Sequence, residues 1–390
     1  MDITVSPEDH EFRDEVRTWL RANVPREPQP IEPRPMREFD LAWQRTQYEG
    51  GWAGIAWPSE YGGRGMTLTQ QLIWHEEYAL ADGPDVGVNF VGLNHGGPTL
   101  ISRGNEEQKT FHLPRILRGE AVWCQGFSEP GAGSDLAALQ TRAEIDGDEL
   151  VVNGHKIWTS YADAADYQEL LVRTDSTGSK HQGITWVIND MSNPGVDVRP
   201  IRTPARDAHF AEVFYDDVRI PVRNIVGEIG DGWSVAMSTL GFERGTAFMA
   251  HQVALHKEVE RLIDLARETT GPDGKRPALA DDEFARRIAD IRAEVAALRA
   301  MTLAVVSRSA RTATPGPEGS VVKLYFAEVS QRLHRLVMDI LGPAGLRFTH
   351  RYREGGWTGE YLYGLANSIG GGTSEIQRNI IGERLLGLPR

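Results

Sequence analysis

The residues from Ala121 to about Gly230 constrain the fold most, because their pattern differs from that of the chain on either side. Short runs of β-branched and alternating apolar residues are separated there by Asp-Gly and Asn-Gly pairs, which is typical of β-hairpins. The clearest hairpin spans residues 142–157, and further strands are predicted at Leu170–Val172, Ile184–Ile188, Val196–Ile201 and Glu212–Tyr215. We therefore predict a small antiparallel β-domain, a sandwich or a barrel, over residues 121–230.

The chain before this β-domain has helical patterning. Ser6 offers a hydroxyl cap, Pro7 suits the first helical position, and two acidic residues follow in the first turn. Further helices are predicted over residues 39–48, 69–81 and 106–118, and the proline-rich segment from Pro25 to Pro35 is expected to be irregular. Residues 1–120 are therefore predicted to form an N-terminal α-helical domain.

Helical patterning returns after Gly232 and continues to the end of the chain. Apolar residues repeat at helical spacing from Ile288 to Val305 and again from Val322 to Ile340, where Gly342-Pro343 ends the pattern. Long helices with apolar faces pack as antiparallel bundles, so residues 231–390 are predicted to form a four-helix-type bundle. The predicted fold class is α+β, mainly α.

Composition excludes several classes of function. The net charge of −13 argues against nucleic acid as a partner, because phosphate binding needs a basic surface. The single cysteine, Cys124, excludes a disulfide framework, and no apolar run is long enough for a membrane span. With no targeting segment recognised, a cytoplasmic location is expected.

The common nucleotide, metal and hydrolase motifs are also missing from the sequence. There is no P-loop, and Gly131-x-Gly133 lacks the third glycine of a dinucleotide fingerprint, since Leu136 stands in its place. No histidine follows His75-Glu76 at the spacing of a zinc site, and no Gly-x-Ser-x-Gly elbow occurs. Chemistry in this chain is therefore expected to rest on a carboxylate and an organic cofactor.

Three stretches are candidates for that chemistry, and each has a simpler structural explanation. The loop Phe127–Leu136 could present amide groups to a flat or phosphorylated ligand with Trp158 beside it, or could be an ordinary turn near a core tryptophan. The glycines at 370–372 precede Ser374 and Gln377, which have capping-box spacing, so a helix N-terminus could face an anion there. Glu243 lies among apolar residues and could be a base, or could form an ion pair with Arg244.

Five ordered motifs together resemble those of the acyl-CoA dehydrogenase family of flavoenzymes, over nearly the whole chain. They lie at residues 57–63, 128–135, 153–160, 339–342 and 373–378. The resemblance implies FAD, held without covalent attachment between the β-domain and the C-terminal bundle. The residues implied to contact it are Gln125, Phe127, Ser128, Gly133, Ser134, Trp158, Ser160, Thr373 and Glu375, with Asp339 and Gly342 contributed by a neighbouring subunit. The family's Arg-x-x-Phe-Gly segment is not recognisable near Lys275-Arg276, so no pyrophosphate contact is assigned there.

The implied reaction converts an acyl-CoA thioester to the trans-2-enoyl-CoA. A base removes the α-proton while hydride passes from the β-carbon to flavin N5. The resemblance also implies substrate contacts at Ser134, Phe242, Arg244, Gly371 and Gly372. Electron-transfer flavoprotein is the expected acceptor, and the expected assembly is a homotetramer, or a heterotetramer with a second family member.

The position of the base departs from the commonest family pattern. Many members carry the catalytic glutamate at the position of Gly371, and glycine has no side chain to accept a proton. A minority place the base in a Leu-x-x-Glu-Arg context, which Leu240 to Arg244 matches with Glu243. Glu243 is therefore the predicted base, and Gly371 is expected to leave room for branched or ring-bearing acyl groups. The alternatives are a non-catalytic or half-catalytic subunit of a heteromeric enzyme and, less favoured, an acyl-CoA oxidase.

Overall fold

The computed structural model describes residues 6–242, 248–312, 316–353 and 355–389, and its elements follow the order helices, strands, helices. The helices before the sheet are α1 Pro7–Asn23, α2 Pro33–Glu49, α3 Leu68–Leu80, α4 Gly97–Arg103 and α5 Glu106–Leu117. The strands are β1 Trp123–Gly126, β2 Arg142–Asp146, β3 Glu149–Ser160, β4 Tyr167–Arg173, β5 Ile184–Asp190, β6 Val196–Ile201, β7 Phe210–Pro221 and β8 Ile225–Val226. The helices after the sheet are α6 Gly232–Phe242, α7 Phe248–Glu268, α8 Asp282–Thr312, α9 Glu318–Leu341, α10 Trp357–Tyr363 and α11 Ser374–Ile380. The mainly helical α+β fold with a middle sheet is confirmed.

The first helix begins as its sequence predicts. The Ser6 hydroxyl accepts a hydrogen bond from the Asp9 amide at 3.1 Å, and the Asp9 carboxylate accepts one from the Ser6 amide at 3.2 Å. The start of α2 was wrongly predicted, because Pro33 and Pro35 lie inside its first turn rather than in an irregular segment. Amides of a first helical turn have no partner within the helix, so proline loses no hydrogen bond there.

The N-terminal helices pack around a group of aromatic side chains. Trp52 stacks on Trp74 of α3 with ring centres 4.9 Å apart, and Trp19 of α1 stacks on Trp43 of α2 at 5.6 Å. Between α3 and α4 the chain forms a 3-10 turn at Gly87–Asn89 and a π-helical turn at Gly92–Gly96. A π-turn widens the helix locally and is frequent at functional sites.

The strands form one sheet in the order β6-β7-β3-β2-β4-β5-β8, and β1 pairs with β4. Most pairings are antiparallel, as predicted, but β1 runs parallel to β4, and β2 meets β4 in parallel at one residue pair. The Asn153-Gly154 pair was wrongly predicted to be a turn. It lies inside β3 at a register shift, where the Gly154 backbone approaches Thr141 so closely that a Cβ would be 2.5 Å from its side chain.

The C-terminal bundle is built from α7, α8 and α9, with α10 and α11 packed against α9. Its core includes Leu262, Leu298 and Leu333, one from each long helix, and all three are fully buried. At the end of α9, Gly342 has a φ of 51°, a left-handed conformation that favours glycine. No helix in the described part of the chain combines the length and the apolar character needed to cross a bilayer.

Candidate active site

The loop that follows β1 is connected to β3 by one backbone hydrogen bond and one side-chain hydrogen bond. The Ile157 amide donates to the Ser128 carbonyl at 2.9 Å, and the Lys156 ammonium donates to the Phe127 carbonyl at 3.0 Å. The second and third of the five motifs, at 128–135 and 153–160, are therefore adjacent in space although their first residues are 25 positions apart in the sequence.

A buried ion pair fixes the base of this loop. Lys156 is fully buried, and its ammonium donates to Glu129 at 2.8 Å. The Glu129 carboxylate also accepts from the amides of Gln140 and Thr141 at 2.7 and 2.8 Å. Burial alone would raise the pKa of Glu129, but Lys156 and these amides hold it below its ordinary value. Burial lowers the pKa of Lys156 to about 8, and Glu129 limits that shift, so both groups are charged at neutral pH.

The tip of the same loop is open. A Cβ placed on Gly131 or Gly133 would meet no atom within 4 Å, and the following Ser134 is exposed. Because this tip is uncovered, the backbone at Gly131 and Gly133 and the Ser134 hydroxyl are accessible to a ligand.

Trp158 lies next to this loop in an unusual conformation. Its φ is 62°, in the left-handed region that bulky residues avoid, and the pairing of β3 with β7 shifts between Lys156 and Thr159. Its side chain is 56% exposed, and its ring lies edge-to-face with that of Phe210, with the ring centres 6.1 Å apart. Because Trp158 is exposed, the alternative of a core tryptophan is wrong. Strained backbone of this kind is common at ligand sites.

Two other predicted cofactor residues on the sheet are held differently. Ser160 is partly buried at the end of β3 and pairs with Phe210 of β7. Gln125 of β1 donates through its side-chain amide to Glu169 of β4 at 2.7 Å, and the same nitrogen lies 3.1 Å from the His95 ring. The Gln125 amide nitrogen is thus engaged within the protein.

The glycines before α11 adopt conformations that favour glycine. The φ angles of Gly371 and Gly372 are 67° and 91°. The helix is capped by Thr373, whose hydroxyl accepts from the Ile376 amide at 3.3 Å, so the predicted capping box between Ser374 and Gln377 is wrong. Ser374 is instead the first helical residue.

The carbonyl groups of this glycine turn are held from the bundle side. The side-chain amide of Gln377 donates to the Gly371 carbonyl at 2.9 Å, and the Lys323 ammonium of α9 donates to the Gly372 carbonyl at 2.6 Å. Glu375 is exposed, and hydrogen bonds from its own backbone amide and from Thr373 lower its pKa. The turn therefore directs its carbonyls inward and leaves the Glu375 carboxylate at the surface.

The segment predicted to serve a neighbouring subunit lies at the surface. Asp339 is half exposed and accepts from Arg287 of α8 at 2.6 Å. Further along the chain, the sheet and the bundle meet where the ring of His209 lies 5.5 Å from that of Tyr363 in α10. His350 contacts Asp207 there at 2.5 Å. The end of β3 and the start of β7 are therefore next to the segment that leads to Gly371.

A cavity of about 290 Å³ lies among the N-terminal helices and the start of α7. Its wall is formed by residues of α2, α3, the 52–57 loop, the 83–94 segment and α7. The residues from α7 are Ala250, His251 and Ala254. Nothing in the sequence identified this cavity. The only signal was that Gln71, His75 and Tyr78, all in its wall, lie one and two turns apart on a predicted helix.

The chain matches three sequence profiles in succession. They are described as the N-terminal, middle and C-terminal domains of acyl-CoA dehydrogenase, and they match residues 6–120, 124–218 and 230–386. The chain belongs to the acyl-CoA dehydrogenase family. Members of this family are oxidoreductases and flavoproteins.

Several family members are similar over their full length. The chain is 41% identical to acyl-CoA dehydrogenase IpdE1 of Mycobacterium tuberculosis, over 97% of this chain and 98% of that one. Among solved structures, a protein described as the Tcur3481-Tcur3483 steroid ACAD covers both chains completely, with a TM-score of 0.87 and 32% identity. The ChsE4-ChsE5 complex of M. tuberculosis has a TM-score of 0.86 and 34% identity, also with complete coverage.

The predicted base of this acyl-CoA dehydrogenase lies outside the described residues. Glu243 and Arg244 fall in the segment 243–247, and the side chain of Phe242 is likewise not among those described. The helix after this segment, α7, begins at Phe248 and lines the cavity with its first two turns. The sequence therefore places Glu243 a few residues before the cavity wall.

A second group of ionisable side chains lies in the bundle, with His334 buried and Glu258 and Glu360 partly buried. Glu258, His334 and Glu360 bring one ligand-type atom each to within 4.8 Å of one another, and His334 lies 3.2 Å from Glu258. Burial acts to lower the pKa of His334 and to raise that of Glu258. Their mutual attraction outweighs burial, so the pKa of His334 is raised and that of Glu258 is lowered. Burial and the neighbouring Glu258 raise the pKa of Glu360 to about 7. The group is thus an ion pair beside a carboxyl that titrates near neutral pH.

Proposed function

We propose that this chain is a flavin-dependent enzyme that dehydrogenates a ring-bearing acyl-CoA thioester to its trans-2-enoyl product. The observation that carries the proposal is Trp158, an exposed indole on strained backbone beside an open loop. A flat aromatic surface next to uncovered loop backbone is suited to a planar ring system with polar edges. We also propose that the chain divides into three domains, with boundaries at about residues 120 and 230.

The proposed FAD contacts come from three parts of the chain. The open loop and its approach supply Gln125, Phe127, Ser128, Gly133 and Ser134, and β3 supplies Trp158 and Ser160. Thr373 and Glu375 would hold the adenosine half, and Asp339 and Gly342, at the surface, would serve a neighbouring subunit. The bound flavin supplies the hydride acceptor. Arg276 is bound by Asp273 at 2.7 Å and is given no role.

Glu243 is the proposed general base, which removes the proton at the α-carbon of the thioester. Its sequence neighbours Leu240 and Phe242 are apolar. A carboxylate in apolar surroundings has a raised pKa and is a stronger base once it is ionised. Gly371 has a left-handed φ and no side chain, so the backbone itself favours glycine at the position where many relatives carry the base.

The thioester oxygen needs hydrogen-bond donors, because negative charge develops on it as the α-proton leaves. The Gly371 amide is the proposed donor from the C-terminal turn, and Ser134, Phe242, Arg244 and Gly372 are the other proposed substrate contacts. The similar structure described as a steroid ACAD and the cavity volume of about 290 Å³ both support a bulky acyl group. Electron-transfer flavoprotein is the proposed acceptor.

The test uses the purified protein loaded with FAD and mixed without oxygen with fatty, branched and sterol-derived acyl-CoAs. The proposal predicts that ring-bearing or branched thioesters bleach the flavin absorbance. Bleaching by straight-chain thioesters only would contradict the substrate class, and no bleaching by any thioester would contradict the activity. Peroxide formation in air without an added acceptor would instead identify an oxidase.

A second candidate is a subunit that completes its site only with another family member. Two of the similar solved structures carry paired names, Tcur3481-Tcur3483 and ChsE4-ChsE5, which favours this alternative. Expression of the chain alone separates the two. Stoichiometric FAD and a discrete homo-oligomer support the first candidate, whereas loss of FAD that a co-expressed relative restores supports the second.

A further inference from the structure

The glycine turn Gly370–Gly372 leads into α11, and its own sequence does not fix its shape. Consecutive glycines have no side chains to restrict the backbone, and glycine loses more conformational freedom on folding than any other residue. Gly371 and Gly372 nevertheless both adopt left-handed φ angles, 67° and 91°. Contacts from outside the turn therefore hold it in this conformation.

Two buried side chains make these contacts, and both bind carbonyl groups of the turn. Lys323 of α9 is 1% exposed, and its ammonium donates to the Gly372 carbonyl at 2.6 Å. Gln377 of α11 is fully buried, and its side-chain amide donates to the Gly371 carbonyl at 2.9 Å and to the Gly372 carbonyl at 3.3 Å. The carbonyls of the turn are thus held toward the bundle by a cation and an amide.

A fully buried lysine is unusual, because removing its charge from water costs free energy. Among the described residues, the largest fully buried side chains include two lysines, Lys156 and Lys323. Each donates to a backbone carbonyl of a loop at the proposed site, Lys156 to Phe127 and Lys323 to Gly372. Both buried charges therefore serve to fix a loop of this site.

The amides of the glycine turn are free where its carbonyls are held. The Gly370 amide donates to the Ala366 carbonyl at 2.9 Å, whereas the Gly371 and Gly372 amides have no acceptor within the ranges that the structure describes. In a planar trans peptide the N–H points opposite to the C=O, so the bond to the Gly371 carbonyl points the Gly372 amide away from the bundle. The Gly371 amide belongs to the adjoining peptide plane, and the same contacts restrict its direction.

We propose that Lys323 is a positioning residue for the dehydrogenation, which together with Gln377 holds the turn so that its free amides face the thioester oxygen. The inference rests on the proposed function, since it takes the Gly371 amide as a donor to that oxygen. A donor stabilises the charge that develops there most when it is aimed in advance, because no reorganisation is then needed during the reaction. Both side chains act through the backbone, since they bind the carbonyl side of the turn.

The first readout is the rate of flavin bleaching. Wild type, Lys323→Met and Gln377→Met, with equal FAD content, are mixed without oxygen with increasing concentrations of 3-cyclohexylpropanoyl-CoA. At saturation both variants should bleach about tenfold to a hundredfold more slowly, because an aligned donor contributes roughly 10²–10³-fold and a misdirected one loses part of that. The apparent Kd of the thioester should stay within about threefold of the wild-type value, since the lost interaction belongs to the transition state.

The second readout is the thioester carbonyl itself. The corresponding trans-2-enoyl-CoA, labelled with carbon-13 at the carbonyl, is already dehydrogenated, and its carbonyl stretch is measured by isotope-edited infrared difference spectroscopy. Hydrogen bonds from aligned amides polarise the carbonyl and lower this frequency. In the wild-type complex the band should lie below that of the free thioester in water, and both variants should return it toward that value. A purely structural role of Lys323 would leave the band in place.

Lys257→Met is the matched control, because Lys257 of α7 also donates to a backbone carbonyl, that of Ala79 in α3 at 3.0 Å. It should keep the wild-type rate and band. If Lys323→Met does not fold, Gln377→Met gives the same test.

The inference is overturned if either readout keeps its wild-type value in the folded variants, or if the wild-type band is not lowered. When the wild-type flavin is bleached, such a result contradicts only this inference. If the saturated thioester does not bleach the wild type and the enoyl form does not bind, the proposed function itself fails.

Discussion

Lys156→Met tests whether the buried ion pair fixes the loop after β1. The change removes a fully buried ammonium together with its bonds to Phe127 and Glu129, at 3.0 and 2.8 Å. Methionine keeps most of the side-chain volume, so the main cost in stability is that the Glu129 carboxylate loses its counter-charge. Glu129 is only 8% exposed, and it would keep the hydrogen bonds from two backbone amides. Breaking a buried pair in this way costs about 3–5 kcal/mol, and the remaining amide bonds favour the lower end of that range.

The assay is urea unfolding at pH 8 and at pH 5, with FAD affinity measured in parallel. In the variant, burial raises the pKa of Glu129, because the opposing charge of Lys156 is gone. The folded state then takes up a proton more readily than the unfolded state, so the loss of stability is largest at pH 8 and smaller at pH 5. FAD affinity should fall as well, since the loop loses its connection to β3.

Lys180→Met provides the control, because Lys180 forms an exposed ion pair with Asp135 of the same loop at 2.8 Å. It should cost less than about 1 kcal/mol. A loss for Lys156→Met that is equally small, independent of pH and without effect on FAD affinity would refute the reasoning.

Three further predictions concern separate parts of the molecule. Trp158→Ala should weaken FAD binding, measured by fluorescence titration, and leave the urea midpoint nearly unchanged because the indole is 56% exposed. The pKa of Glu360 is raised to about 7, so as the pH rises from about 4.5 to 7 the unfolded state loses this proton while the folded state keeps it. The free energy of unfolding therefore falls over this range. At pH 8, Glu360→Gln should therefore stabilise the protein by about 1–3 kcal/mol, whereas Glu258→Gln, which breaks the pair with His334, should destabilise it in the same unfolding assay. Burial lowers the pKa of His112 to about 4, so between pH 6.5 and 4 the unfolded state binds this proton and the folded state does not. The free energy of unfolding therefore falls as the pH drops through this range. In thermal unfolding, His112→Phe should lose up to about 3 kcal/mol less stability than the wild type between pH 6.5 and 4.

Features that depend on neighbouring residues in the chain could be predicted from the sequence. The cap at Ser6 and the two-residue turn between β2 and β3, where Gly147 has a φ of 64°, follow from local side-chain and backbone chemistry. The end of α9 at Gly342 is of the same kind. Errors arose where one residue type serves two local roles. Proline suits both an irregular segment and a first helical turn, which misplaced the start of α2, and both Thr373 and Ser374 can cap a helix.

Features that depend on distant residues could not be predicted. The partner of Lys156 is 27 residues away, and nothing local in its sequence marks it as buried. The cavity needs α2, α3 and α7 to pack together, so no single stretch of the sequence indicates its wall. The exposure of Trp158 is similar, because a tryptophan within a strand pattern is more often part of a core.

The most direct test of the proposed chemistry is Glu243→Gln. Glu260→Gln is a suitable control, because Glu260 lies on α7 in an exposed ion pair with Arg292 at 2.8 Å. Both variants are loaded with FAD, their flavin content is equalised, and a ring-bearing acyl-CoA that bleaches the wild type is added without oxygen. If Glu243 is the base, its variant should bleach about 10²–10⁴-fold more slowly while the control keeps the wild-type rate. Bleaching of Glu243→Gln at the wild-type rate would contradict the assignment.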